Sequence, residues 1–154
     1  CLRKNAMEGD YIYVTGLIGN SYRSRHHLNF IPRLEEAEFL AGHFTNTMID
    51  VSDGLLADLG RICEASGLAA ELDISAIPLR KGATLPSALS DGEDYELLFA
   101  VDPELSERLD RQWNFDCRLS RIGQFKSGHK GQITEKESGR VLSGKDSGFD
   151  HFQS

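Results

Sequence analysis

The chain of 154 residues contains few of the features that mark specialised architectures. It has three cysteines, Cys1, Cys63 and Cys117, with no CxxC pair and no histidine at ligand spacing, so neither a disulfide framework nor a zinc site is supported. No apolar stretch approaches the roughly 18 residues of a membrane span. The 17 basic residues are scattered against 24 acidic ones, and the net charge of −7 argues against a general nucleic-acid surface. The GxxxxGK[ST] motif and the HRD and DFG signatures are also missing, which excludes the two commonest nucleotide-binding scaffolds.

Periodic apolar residues divide the chain into strands and helices. Strands are predicted at residues 11–15, 70–74, 95–101, 117–125 and 131–134. Helices are predicted at 34–44, at 53–66 and after the cap Asp102. The first of these helices is expected to carry a solvated outer face of Glu35, Glu36 and Glu38. Because helices and strands mingle without a regular βαβ rhythm, we predict an α+β fold whose layers surround a mixed β-sheet.

Residues 48–59 (MIDVSDGLLADL) form the most informative stretch, because a strand, a tight turn and an amphipathic helix follow one another there. The turn carries the carboxylates of Asp50 and Asp53 and the hydroxyl of Ser52. Carboxylates are ligands that magnesium accepts when it also binds phosphate, and the amides at a helix start attract anions. The alternative is that Ser52 or Asp53 only caps the helix. The spacing alone leaves both interpretations open.

Two further segments combine charge with aromatic residues. Residues 91–99 (DGEDYELLF) pass from acidic side chains into an apolar strand, and Glu93 and Asp94 stand at the strand entrance, where sites are common. A charged surface turn is the alternative. Residues 148–152 (GFDHF) bring Phe149 close to the C-terminus, where it either contacts a ligand or packs into the core.

These three segments, in this order, resemble the C-terminal domain of thiamine-monophosphate kinase. Residues 9–19 also resemble the strand that opens this domain, so the resemblance covers nearly the whole chain. The family uses ATP to convert thiamine monophosphate to the diphosphate, and it belongs to the superfamily of aminoimidazole ribonucleotide synthetases. The resemblance therefore implies the fold of that superfamily's C-terminal domain. Two departures are a shortened segment after Gly19 and Asp91 in place of a glycine.

The resemblance also implies roles for individual residues. Asp50 and Asp53 are expected to hold Mg²⁺, and Ser52 is expected to bind a phosphate of ATP. Glu93 is expected to contact thiamine monophosphate, and Phe149 to stack on its ring. We assign no catalytic base, because the acceptor is a phosphate oxygen that is already anionic.

Residues 1–154 are accordingly expected to be the C-terminal domain of a cytoplasmic enzyme, with the N-terminal domain absent from this chain. The full-length protein is expected to be a homodimer that binds neither membrane nor nucleic acid, and the isolated chain is expected to be inactive. Two alternatives stay open. One is another ATP-dependent synthetase of the superfamily, such as selenophosphate synthetase. The other is a non-catalytic domain that binds nucleotide or a partner.

Overall fold

Seven strands form one sheet in the computed structural model, which describes residues 1–142. They are β1 (Tyr11–Thr15), β2 (Met48–Asp50), β3 (Ala69–Leu72), β4 (Leu97–Val101), β5 (Leu119–Lys126), β6 (Ile133–Glu135) and β7 (Val141–Leu142). Their order across the sheet is β2-β4-β1-β5-β3-β6-β7. Neighbouring strands are antiparallel except for β3 and β6, which are parallel. The mixed sheet confirms the predicted fold class.

Five α-helices within residues 1–142 connect these strands. They are α1 (His26–Asn29), α2 (Leu34–Leu40), α3 (Leu55–Ser66), α4 (Leu85–Ser90) and α5 (Pro103–Gln112), and a short 3₁₀ helix spans Ile74–Ala76. The side chain of Asp102 caps α5 by accepting the amide of Glu104 at 2.9 Å, as the sequence predicts. Within the part of the chain that the structure describes, no helix is long and apolar enough to cross a membrane.

The sheet carries a hydrophobic cluster on each face, because successive side chains of a strand point to opposite sides. Ile12 and Val14 of β1 face α3 and α4, whereas Tyr13 faces α2 and α5. The same division applies to β4, which explains its continuous apolar run. Cys63 lies fully buried in the first cluster, and burial raises the pKa of its thiol to about 12, so this cysteine is a core residue.

Several predicted boundaries are wrong for local reasons. Strand β4 begins two residues later than predicted, because Tyr95 has a left-handed backbone with φ of 53°. Helix α2 ends at Leu40 because Ala41 is extended. The sequence reasoning also missed α1, α4, the 3₁₀ helix and β7. For α4 a signal was present, since Thr84 and Ser87 form a capping box at its start.

The solvated face expected for the glutamates of α2 is wrong for Glu36. This side chain is buried and lies 3.7 Å from the Arg33 guanidinium, while the thiol of Cys117 contacts its carboxylate at 3.4 Å. A basic partner one turn earlier and a neighbour from the connection before β5 thus bring Glu36 into the protein.

Candidate functional site

The turn between β2 and α3 exposes both predicted metal ligands. Asp50 ends β2 at the edge of the sheet, and Asp53 follows three residues later, with Ser52 half-buried between them. No hydrogen bond or ion pair reaches the Asp50 carboxylate from residues 1–142. The turn therefore leaves at least one carboxylate free to bind a cation.

The capping interpretation of this turn is wrong. The N-cap of α3 is Gly54, with φ of 114°, and no side chain caps the helix there. A Cβ atom at Gly54 would lie only 2.8 Å from the carbonyl oxygen of Ser90, so this position has room only for glycine. Neither the Ser52 nor the Asp53 side chain caps the helix, so capping does not explain these two residues.

The backbone of the turn is held instead by Asp58 from the first turn of α3. One oxygen of this fully buried carboxylate, Oδ2, accepts the amides of Ser52 and Asp53, each at 2.9 Å. These two amides are therefore already occupied by a carboxylate and are not free to bind an anion. Sequence reasoning missed Asp58, although the signal was present: it lies on the same helical face as Leu55, Leu59 and Ile62, and a charged residue on an apolar face needs partners.

Arg61 connects two carboxylates beside the turn. Its Nη1 lies 2.5 Å from Oδ1 of Asp58, and its Nη2 lies 2.6 Å from Oδ2 of Asp53. The Asp58 end of this bridge is fully buried, whereas the side chain of Asp53 is 58% exposed. The carboxylate of Asp53, the second predicted metal ligand, is thus paired with the guanidinium of Arg61.

The segment 91–95 packs directly on this turn. The amide of Glu93 donates to the carbonyl of Ser52 and the amide of Tyr95 to that of Val51, both at 2.8 Å. A Cβ atom at Gly92 would overlap the Ser52 carbonyl oxygen, so only glycine permits this close approach. The structure therefore brings together two of the three segments that the sequence singles out.

Glu93 is held in a conformation that non-glycine residues seldom adopt. Its φ is 63°, and the hydroxyl of Ser21 donates to its carbonyl oxygen at 2.7 Å. The Tyr22 hydroxyl faces its carboxylate, and this hydrogen bond is the main cause of the raised pKa of Tyr22. Hydrogen bonds from the amide of Glu93 and to its carbonyl oxygen thus fix the backbone of this residue, which is the predicted contact to the substrate. Tyr22 also lines a cavity of about 370 Å³, together with Arg23 and Asp91 among others.

Asp94, the next residue, points into the protein. Its Oδ1 accepts the amide of Gly19 at 3.0 Å and Nη1 of Arg80 at 2.8 Å. Arg80 also donates to the carbonyl oxygens of Leu17 and Gly19, each at 2.6 Å. Burial raises the pKa of Asp94 to about 6, although Arg80 opposes the change. Asp94 and Arg80 thus tie the loop after β1 to the segment that carries Glu93.

Glu96 forms the second buried ion pair under the segment. Arg33 donates from Nε and Nη2 to the two oxygens of Glu96, each at 2.9 Å, and Thr15 donates at 2.7 Å. The hydrogen bonding of the Arg33 guanidinium to Glu96 is the main cause of the raised pKa of Arg33. Gly16 passes so close to Glu96 that a Cβ atom there would overlap the carboxylate. Sequence reasoning did not find these roles, because the partners come from distant parts of the chain.

The half-buried histidines at the start of α1, His26 and His27, bond to the loops that surround Glu93. Nε2 of His26 lies 2.9 Å from the carbonyl oxygen of Asp94, and Nδ1 of His27 lies 3.2 Å from that of Ser21. Asp91 has an ordinary backbone conformation as the C-cap of α4, so the residue that departs from the family pattern fits its position without strain. Phe149, the remaining predicted site residue, lies outside the described residues.

The mixed sheet and the two loops that contact each other beside strand β2 belong to a domain whose class the comparison with known families identifies as the aminoimidazole ribonucleotide synthetase type. The chain belongs to the family described as "AIR synthase related protein, C-terminal domain", whose family model matches residues 7–136.

Among curated proteins, the chain is similar to thiamine-monophosphate kinase of Buchnera aphidicola subsp. Schizaphis graminum. The two are 33% identical, over 98% of this chain and 55% of the relative. The solved thiamine-monophosphate kinase of Stenotrophomonas maltophilia K279a is similar with a TM-score of 0.78 and 27% identity, over 90% of this chain and 54% of that one. A structure of AaThiL complexed with AMPPCP and TMP has a TM-score of 0.73 and 24% identity, over 90% of this chain and 51% of that one, and shows the shared fold. The chain thus spans about half the length of the proteins it matches.

Proposed function

We propose that this chain forms the C-terminal half of an enzyme that transfers phosphate from ATP to thiamine monophosphate, giving thiamine diphosphate. The observation that carries the proposal is the contact between the 50–54 turn and the 91–95 segment, where the amide of Glu93 bonds to Ser52 at 2.8 Å. The similarity to thiamine-monophosphate kinases over 98% of the chain supports it. A cytoplasmic location and a homodimer of the full-length protein remain predictions.

The donor set of the turn fits a magnesium ion. Asp50 and Asp53 offer exposed carboxylate oxygens, and residues 1–142 contain no cluster of three acidic, histidine or cysteine side chains that could enclose a metal. Magnesium favours an arrangement in which two carboxylates bind the ion, and water and phosphate oxygens fill its remaining coordination positions. When bound, the ion neutralises charge on the phosphate groups during transfer. Ser52 then contributes a hydroxyl to a nucleotide phosphate.

The protein's own contribution to the substrate is electrostatic and positional. Glu93 presents a carboxylate that attracts the positive thiazolium ring, and its backbone is fixed by bonds to Ser52 and Ser21. Such fixation lowers the entropy that must be lost when the acceptor phosphate meets the donor. Phe149 is proposed to stack on the ring.

The experiment compares two sets of variants in the full-length protein. Asp50→Asn and Asp53→Asn should each lower turnover on the order of a hundredfold, because the lost metal interaction is worth several kcal/mol. Glu93→Gln and Phe149→Ala should weaken binding of thiamine monophosphate roughly tenfold to a hundredfold, and leave binding of an ATP analogue unchanged. Steady-state kinetics and calorimetry with each ligand separately measure these effects.

Asp116→Asn is the matched control, since this exposed carboxylate lies in the connection between α5 and β5. A wild-type protein that ignores thiamine monophosphate but hydrolyses ATP would indicate another synthetase of the superfamily. Nucleotide binding without turnover would indicate a non-catalytic domain.

A further inference from the structure

A single guanidinium links the proposed metal ligand Asp53 to the buried carboxylate Asp58. Arg61 uses one nitrogen for each, at 2.6 Å and 2.5 Å. A planar guanidinium with several donors suits such a bridge better than the point charge of a lysine. Arg61 is thus a built-in counter-ion of the turn.

The two ends of the bridge differ in how firmly they are held. Asp58 is completely buried, and its second oxygen is fixed by the amides of Ser52 and Asp53. Asp53 is exposed, and the side chain of Arg61 is itself 40% exposed. The bond between Arg61 and Asp53 is therefore the end that exchanges readily with solvent and ions.

Arg61 also has space to move away from Asp53. It lines an open groove of about 460 Å³ between α3 and strands β6 and β7. Glu64, one turn further along α3, lines the same groove and is exposed. A guanidinium released from Asp53 therefore has both room and a second carboxylate at helical i, i+3 spacing.

We infer that Arg61 is a positioning residue that holds the Asp53 carboxylate in the metal-free turn and competes with a divalent cation for it. This inference rests on the proposed function, because it takes Asp53 to be a metal ligand. A cation on the Asp53 carboxylate shares that group with Nη2 of Arg61, and the guanidinium charge repels the cation at short range. Metal binding is then coupled to the turning of Arg61 into the groove.

The test uses Mn²⁺ alone as probe and the purified 154-residue chain. Paramagnetic broadening of the amide NMR signals of Ser52 and Asp53 reports binding, because Mn²⁺ broadens signals even at a weak site. Arg61→Ala should bind Mn²⁺ about threefold to tenfold more tightly than wild type, as expected for the loss of a competing exposed ion pair and a nearby positive charge. Arg61→Lys retains the charge but cannot bridge both carboxylates, so its gain should be smaller.

Arg111→Ala on α5 is the matched control, since it removes the same charge from an exposed helical site away from the turn. Asp50→Asn separates the two proposals. If it abolishes broadening while both Arg61 variants bind as wild type or more weakly, the competition is wrong and the metal site stands. If no protein shows broadening, or if Asp50→Asn has no effect, the metal site is wrong and the role of Arg61 with it.

Discussion

Asp94 provides a direct test of the buried framework under the segment that carries Glu93. Its carboxylate is completely buried, with Gly19 and Arg80 bound to Oδ1 and no hydrogen-bond partner for Oδ2 among residues 1–142. Burial without full compensation is the main reason why its pKa rises to about 6 from the usual 3.8. The folded chain therefore binds a proton here more tightly than the unfolded chain does.

The size and sign of the effect follow from proton linkage. The difference between the two pKa values corresponds to about 3 kcal/mol. Below about pH 3 the group is largely protonated in both states, so folded and unfolded chain bind the same number of protons here. As the pH rises through 4 to 6, the unfolded chain ionises first, so this group lowers the free energy of unfolding, with its full effect above about pH 6.

Urea unfolding of wild type and Asp94→Asn, measured across this pH range, isolates the contribution of Asp94. The variant cannot ionise, so its stability relative to wild type should improve by about 3 kcal/mol between roughly pH 3 and pH 7. Asp116→Asn serves as control, with a difference from wild type that stays nearly constant. A constant difference for Asp94→Asn as well would show that Asp94 titrates normally and would refute the reasoning.

Two further predictions concern stability. Glu96→Ala should lower the free energy of unfolding by about 3 kcal/mol or more, because Arg33 loses both of its bonds to this carboxylate while it stays largely buried; a loss below about 1 kcal/mol in urea unfolding would place the pair among weak surface pairs. Gly60→Ala should raise the melting temperature through a gain of about 1 kcal/mol, because Gly60 is inside α3 and a Cβ atom there meets nothing within 4 Å. Gly92→Ala is its counterpart and should lower the melting temperature, since the added Cβ atom overlaps Ser52; a fall for Gly60→Ala or a rise for Gly92→Ala would contradict the corresponding assignment.

The sequence predicted those parts of the fold that depend on local patterns. Strand β1 has the predicted bounds, and α3 was predicted within two residues because its apolar face repeats at helical spacing. The resemblance of the 50–54 and 91–99 segments to one family assigned ligand roles to residues in both, and the structure brings 50–54 against 91–95. Local patterns and a family motif were enough for these features.

The buried charges could not be predicted in the same way. Arg33 and Arg80 lie 63 and 14 residues from their partners Glu96 and Asp94, so no local spacing connects them. The left-handed backbone of Glu93 was equally hidden, because it depends on bonds to Ser52 and Ser21. Only Asp58 left a trace in the sequence, as a charged residue on an apolar helical face.

The position of these buried carboxylates explains what they contribute. Asp58 lies beneath the turn that exposes Asp53 and accepts the amide of that residue, and Asp94, next to Glu93, ties the Glu93 segment to Gly19. A buried ion pair adds little net stability compared with a well-packed apolar replacement, but it specifies one geometry because its partners must meet in one arrangement. An apolar core beneath the two loops would hold them together, yet it would not fix which carboxylates face outward. The fixed geometry of the loops is therefore the feature that the buried charges explain, and the proposed phosphate transfer depends on such a geometry because two bound substrates must be held in position.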